Sequence, residues 1–141
     1  MRFLGLDIGE KRIGIAVSDE LGITAQGVST LYRGNPQDDI RRLAGIIRHW
    51  SGEKIVVGLP RNMNGTCGPQ TQKVKEFIEE LIVEIPIEII YWDERLTSVA
   101  AERALIEGNV SRKKRKTVID KIAAVMILQG YLDRVNLNRL Q

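Results

Sequence analysis

Three strand-like runs open the chain, and the turns between them are too short for a crossover. Phe3 to Ile8 is followed by the turn Gly9-Glu10-Lys11 and then by Ile13-Gly14-Ile15-Ala16-Val17. Asp19 to Gly22 makes a second turn, and Ile23 to Leu31 is a third, weaker strand. Parallel neighbours need a connection of about a dozen residues or more, so these three strands must form an antiparallel meander. Gly34-Asn35-Pro36 then breaks the chain. Ile40, Leu43, Ala44, Ile47 and Trp50 recur at helical spacing, which predicts a helix from about Pro36 to Trp50.

The second half alternates. Ile55-Val56-Val57-Gly58-Leu59 is a continuous apolar run suited to the middle of a sheet. A polar, Gly-rich loop follows, and Pro69 suits the first turn of the next helix, whose stripe is Val74, Phe77, Ile78, Leu81 and Ile82. Ile87 to Trp92 reads as a fifth strand closed by Asp93-Glu94-Arg95. Thr97 or Ser98 can cap a helix through Ile106, and a last helix spans about Val118 to Arg134. Each strand–helix–strand link demands a right-handed crossover between parallel strands. The result is an α/β fold: a five-stranded mixed sheet, order 3-2-1-4-5, flanked by helices. The C-terminal ends of strands 1, 4 and 5 then share one rim, where open α/β sheets place their sites.

That rim collects acids. In the first strand Leu4, Leu6 and Ile8 take one face, while Phe3, Gly5 and Asp7 take the other. A carboxylate in a core costs several kcal/mol unless a partner holds its charge. Asp93 and Glu94 end the fifth strand; they face opposite sides of it, so the spacing leaves open which one joins Asp7. Asp120, placed in the first turn of the last helix, is in phase with Ala123, Ala124, Ile127 and Tyr131. Small Ala123 and Ala124 let that helix approach the sheet closely.

Several carboxylates at one spot repel, and hard divalent cations resolve the conflict. Mg²⁺ takes oxygen ligands and often also a phosphate; two ions about 4 Å apart can activate water and stabilise the leaving oxygen of a phosphodiester. Basic segments lie nearby. Arg112-Lys113-Lys114-Arg115-Lys116 is an unbroken cationic run, Lys11-Arg12 is a second, and the net charge is +3. Such runs favour an anionic partner. Acids with basic flanks are what metal-dependent cleavage of nucleic acid requires. Bland alternatives stand beside this: an ion pair between Asp7 and Lys11, Arg12 or Lys121, a helix-dipole role for Asp120, and a solvated strand end at Asp93-Glu94. The loop from Pro60 to Gly68 is either an ordinary turn-rich connection or a phosphate cradle before a helix N-terminus. His49, Cys67, Tyr91, Trp92 and Tyr131 read as packing or incidental residues.

With 141 residues, 43% of them hydrophobic, the expectation is one domain over 1–141. No apolar run approaches the ~18 residues of a membrane span. There is no signal-peptide pattern, and the only cysteine is Cys67. A cytoplasmic protein is expected.

Four motifs in order carry a resemblance: Leu6-Asp7-Ile8-Gly9-x-Lys11-Arg12-Ile13-Gly14-x-Ala16, Val57-Gly58-Leu59-Pro60-x-Asn62-Met63-x-Gly65, Asp93-Glu94-Arg95-Leu96-Thr97 and Asp120-Lys121-x-Ala123-Ala124. They resemble the YqgF family, also called RuvX, of Holliday junction resolvases and pre-16S rRNA nucleases. The resemblance runs nearly end to end and implies the ribonuclease H-like fold. It implies Asp7, Glu94 and Asp120 as the catalytic acids binding Mg²⁺ or Mn²⁺ (two ions), with Asp93 the alternative to Glu94. Lys11, Arg12 and Arg95 fall in its motifs and, with Arg112, Lys113, Lys114, Arg115 and Lys116, would contact phosphate. Asn64 departs from the aspartate many relatives carry. The expected activity is endonucleolytic processing of the 5′ end of pre-16S rRNA. The alternatives are resolution of four-way DNA junctions, which needs a dimer, and a non-catalytic RNA-binding assembly factor. Asp7-x-Gly9 with Gly14 also resembles the phosphate loop of actin-like ATPases, but those enclose ATP between two domains, and one domain is expected from these 141 residues. Structured RNA or branched DNA is the expected partner, and the expected state is a monomer or weak homodimer.

Overall fold

The structure, a computed structural model, describes residues 1–60, 68–94 and 112–139, with side chains for residues 120–138 of the last stretch. Strands β1 (Phe3–Ile8), β2 (Arg12–Ser18) and β3 (Ala25–Tyr32) form the meander, with helix α1 (Pro36–His49) after it. Strand β4 (Lys54–Leu59), helix α2 (Pro69–Glu84), strand β5 (Glu88–Asp93) and helix α3 (Arg112–Arg139) follow. The sheet order is β3-β2-β1-β4-β5. β1 pairs antiparallel with β2, and β2 with β3; β1 pairs parallel with β4, and β4 with β5. This is the strand order that turn lengths and strand–helix alternation predict, and the one the family resemblance implies.

Period-two patterning divides the core between two faces. Leu4, Leu6, Ile8, Ile55, Val57 and Leu59 pack with α1 and α2 through Leu43, Ile47, Val74, Phe77 and Leu81. Phe3, Ala16, Val56 and Trp92 pack with α3 through Ala123, Ala124, Ile127 and Leu128. α1 starts where expected because the Asn35 side chain accepts the Gln37 amide at 2.9 Å, with Pro36 in the first turn.

Three expectations need correction. β3 begins at Ala25 rather than Ile23, since the Asp19 carboxylate takes the Ile23 and Thr24 amides at 2.7 and 3.1 Å and holds them in the turn. Tyr91 is 39% exposed rather than core: it sits on an edge strand, with the Lys75 ammonium 5.8 Å from its ring. The largest departure is α3. It begins at Arg112, so the backbone of the basic run is helical and Asp120 lies in the third turn, with no acid in the first. Lys and Arg are good helix formers, and apolar periodicity alone cannot see a polar first turn. The helix-dipole reading of Asp120 therefore falls. The expected helix from Thr97 or Ser98 to Ile106, the loop residues Asn64 and Cys67, and Arg95 lie outside the described residues. Among the described residues, no helix is long and apolar enough to cross a membrane.

Candidate active site

Asp7 is 8% exposed near the end of β1. Its face is the α3 face, because Phe3 packs in the α3 cluster and Gly5 lies under that helix. A Cβ on Gly5 would stand 2.7 Å from the Leu128 Cβ and 2.9 Å from the Ala124 carbonyl oxygen. Neighbouring strands lie about 4.8 Å apart, so the residues beside Asp7 decide what else can reach it. Both are glycines. On β2, Gly14 is paired directly with Asp7. On β4, Gly58 is one step beyond the Leu6–Val57 pairing.

The space over each glycine is filled from elsewhere. A Cβ on Gly14 would stand 1.9 Å from the Asp120 carbonyl oxygen, so the backbone of α3 rests on the strand at that point. A Cβ on Gly58 would meet Ile127 Cδ1 at 2.4 Å and the Glu94 carboxylate oxygen Oε1 at 2.9 Å. The sheet floor thus drops on both sides of Asp7. One gap admits the α3 backbone at Asp120, and the other admits the Glu94 carboxylate.

This arrangement separates the two acids of β5. Trp92 pairs with Gly58 and packs in the α3 cluster, so Glu94, two residues on, returns to the face of Asp7. Asp93 pairs with Leu59, whose side chain belongs to the α1/α2 cluster, and so faces away.

The Asp120 carboxylate is engaged by a cation. Arg12 Nε donates to Asp120 Oδ2 at 2.6 Å, with the two side chains 24% and 13% exposed. Arg12 lies two residues before Gly14, hence on the same face. Among the described residues no group of three or more His, Cys, Asp or Glu side chains is gathered tightly enough to enclose an ion. The backbone brings the carriers of Asp7, Glu94 and Asp120 to one place, while the Asp120 carboxylate is turned to Arg12. By chemistry the residue types suit a hard cation: the three acids are oxygen donors, and the glycines beside Asp7 let the carriers of the other two approach it. Lys11 is exposed in the β1–β2 turn at the same rim. Residues Arg112 to Lys116 form the first turns of α3. α2 starts at this rim with Gly68 as its N-cap and no capping side chain.

Gly14 and Gly58 escaped notice as site residues. The signal was present, because a glycine inside a strand marks close approach by another backbone or group. A buried ionic cluster also passed unseen. Asp39, at the start of α1, is fully buried; its Oδ1 accepts from the Gly34 amide at 2.9 Å and from Arg42 at 3.1 Å. Arg33 bridges that cluster to the rim, since it lies 3.6 Å from Asp39 Oδ2 and donates to the Gly9 carbonyl at 2.7 Å.

Comparison with known proteins agrees with this architecture. The family model of RuvX, Holliday junction resolvase, matches residues 1–134. A protein of Clostridium tetani described as "Putative pre-16S rRNA nuclease" is 58% identical over 96% of this chain and 98% of its own length. A protein of Halalkalibacterium halodurans with the same description is 57% identical over 97% and 99%. Among solved structures, the Thermus thermophilus RuvC in complex with Holliday junction substrate superposes with a TM-score of 0.63 at 11% identity. It covers 97% of this chain and 96% of its own. The fowlpox virus Holliday junction resolvase gives 0.51 at 15% identity, with full coverage of both chains. At such identities the two structures speak for the fold. A family model that matches residues 1–134, with relatives 58% and 57% identical over nearly the whole length, makes this chain a member of the RuvX family.

Proposed function

We propose that this chain is a metal-dependent endonuclease that processes the 5′ end of pre-16S rRNA. The observation that carries the reading is the sheet floor at Asp7: a buried aspartate between two glycines, with Asp120 brought over one and Glu94 over the other. The description shared by the relatives supplies the substrate.

Asp7, Glu94 and Asp120 would hold Mg²⁺ or Mn²⁺, two ions in the full site. Bound there, the metal supplies activation of water and stabilisation of charge on the leaving oxygen. The rest is the work of the chain. The Asp7 backbone is fixed by its pairing with Gly14 and by the β1–β4 pairing that ends at Leu6, so the carboxylate's point of attachment is held in place. Glu94 is confined between Gly58 and its own strand end. Lys11, Arg12, Arg95 and the run from Arg112 to Lys116 would hold backbone phosphates on either side of the cut, which positions the strand without reading its sequence. The domain spans 1–141, works in the cytoplasm and acts as a monomer or weak homodimer.

The description of the matching family favours a second reading, cleavage of four-way DNA junctions. Side-by-side cleavage of precursor rRNA and junction DNA by one preparation separates the two. The acid assignment is tested by Asp7→Asn, which is expected to cut cleavage on the order of 10²–10³-fold. Undiminished cleavage under Mg²⁺ overturns it.

A further inference from the structure

We propose that the Arg12–Asp120 ion pair is a latch that keeps the metal site incomplete until nucleic acid arrives. The proposal rests on the nuclease reading and concerns the order in which that site assembles. Arg12 Nε and Asp120 Oδ2 are 2.6 Å apart, a charge-assisted bond at its short end. The pair joins the start of β2 to the third turn of α3, directly beside the Gly14 contact that seats the helix. The bond occupies one of the two carboxylate oxygens and holds the group toward Arg12, so bringing both oxygens to a divalent ion at about 2.0–2.1 Å requires the ion pair to open.

Arg12 is 24% exposed, and a guanidinium has five donors in a fork that matches a phosphate. A backbone phosphate at the rim is thus a natural competitor for Arg12. When phosphate takes the guanidinium, Asp120 is released toward Asp7 and Glu94. Nucleic acid then promotes metal binding, and by linkage metal promotes nucleic-acid binding by the same factor. Without substrate the acids remain divided, and metal is held weakly. Arg12 is in this sense a positioning residue that acts through Asp120.

The test is Mn²⁺ affinity of the full chain without nucleic acid, read by electron paramagnetic resonance of the free ion. Four proteins are compared: parent, Arg12→Gln, Asp120→Asn and the double variant. The latch predicts that Arg12→Gln tightens Mn²⁺ on the order of tenfold and that this gain vanishes in the Asp120→Asn background. An unchanged or weaker affinity in Arg12→Gln overturns the latch. A gain that persists without Asp120 also overturns it, since that marks general charge relief. Asp7→Asn separates this from the underlying reading. If it leaves Mn²⁺ binding unchanged, the metal site itself is misassigned. If it abolishes binding while Arg12→Gln gives no gain, only the latch fails. Should Arg12→Gln not fold, Arg12→Met removes the cation and keeps the aliphatic stem; a gain of the same order is expected, and no gain overturns the latch.

Discussion

Replacing Gly14 by alanine tests the seat of α3 on the sheet. The new Cβ would stand 1.9 Å from the Asp120 carbonyl oxygen, against about 3.4 Å for ordinary contact, so something must move by about 1.5 Å. The atom in the way is backbone, and it belongs to a helix packed across β1, β2, β3 and β4. It cannot swing aside as a side-chain tip would. Overpacking a core costs about 1–3 kcal/mol where neighbours can yield; here the cost should lie near the upper end, about 3 kcal/mol. Because Asp120 rides on the displaced backbone, cleavage should fall by more than the loss of folded protein explains. A misplacement of about 1 Å at a reacting centre costs on the order of 10²-fold. Urea denaturation gives the first quantity, and cleavage under conditions where both proteins are fully folded gives the second. Gly27→Ala is the control on the same face of the sheet. Its Cβ would meet Val125 and Lys121 side-chain atoms at 3.5 and 3.6 Å, so it should be neutral or slightly stabilising. Parental stability in Gly14→Ala would refute the close seating of α3 and, with it, the placement of Asp120 beside Asp7.

Gly58→Ala should behave differently, because the groups it meets are the ends of the Ile127 and Glu94 side chains. The expected stability cost is about 1 kcal/mol, with a disproportionate loss of cleavage and of Mn²⁺ affinity as the Glu94 carboxylate is pushed aside. Asp39→Ala removes the buried acceptor shared by Arg42 and the Gly34 amide. Urea denaturation should show a loss of about 2–3 kcal/mol, below the range for a fully buried pair because Arg42 is half exposed. The Asp19 carboxyl is held below its ordinary 3.8 by the Ile23 amide and then the Thr24 amide. Its folded-state pKa is depressed, so its contribution to the β2–β3 turn is complete above pH 3.8 and disappears as pH falls through the lower folded value. Carboxyl carbon NMR should show a midpoint under 3.8, and a midpoint at or above it refutes the turn geometry.

The sheet was readable from local signals. Turn length made β1, β2 and β3 a meander, and alternation of strand and helix then left few ways to add β4 and β5. α1 and α2 announced themselves through Asn35-Pro36 and Pro69 and through an apolar stripe. α3 was read six residues too short at its start, because the residues from Arg112 to Thr117 offer no apolar rhythm to a search for one. Tyr91 was misplaced for a related reason: alternation gives a residue its face but does not say whether a helix covers that face.

At the site, the residue types alone singled out Asp7, Asp120 and the pair Asp93-Glu94 as candidate acids, since a carboxylate in a buried strand or on a buried helix requires a partner wherever the chain folds. The choice between Asp93 and Glu94 rested on register: pairing of Trp92 with Gly58 carries Glu94 to the face of Asp7 and sends Asp93 to the other. Packing alone put α3 within reach: a glycine inside a strand signals close approach, but only the folded chain shows that α3 is what approaches Gly5, Gly14 and Gly58. The engagement of Asp120 by Arg12 is likewise invisible in a linear chain. The two residues are 108 positions apart, and their attraction has meaning only once three separate strands and a helix have closed the distance.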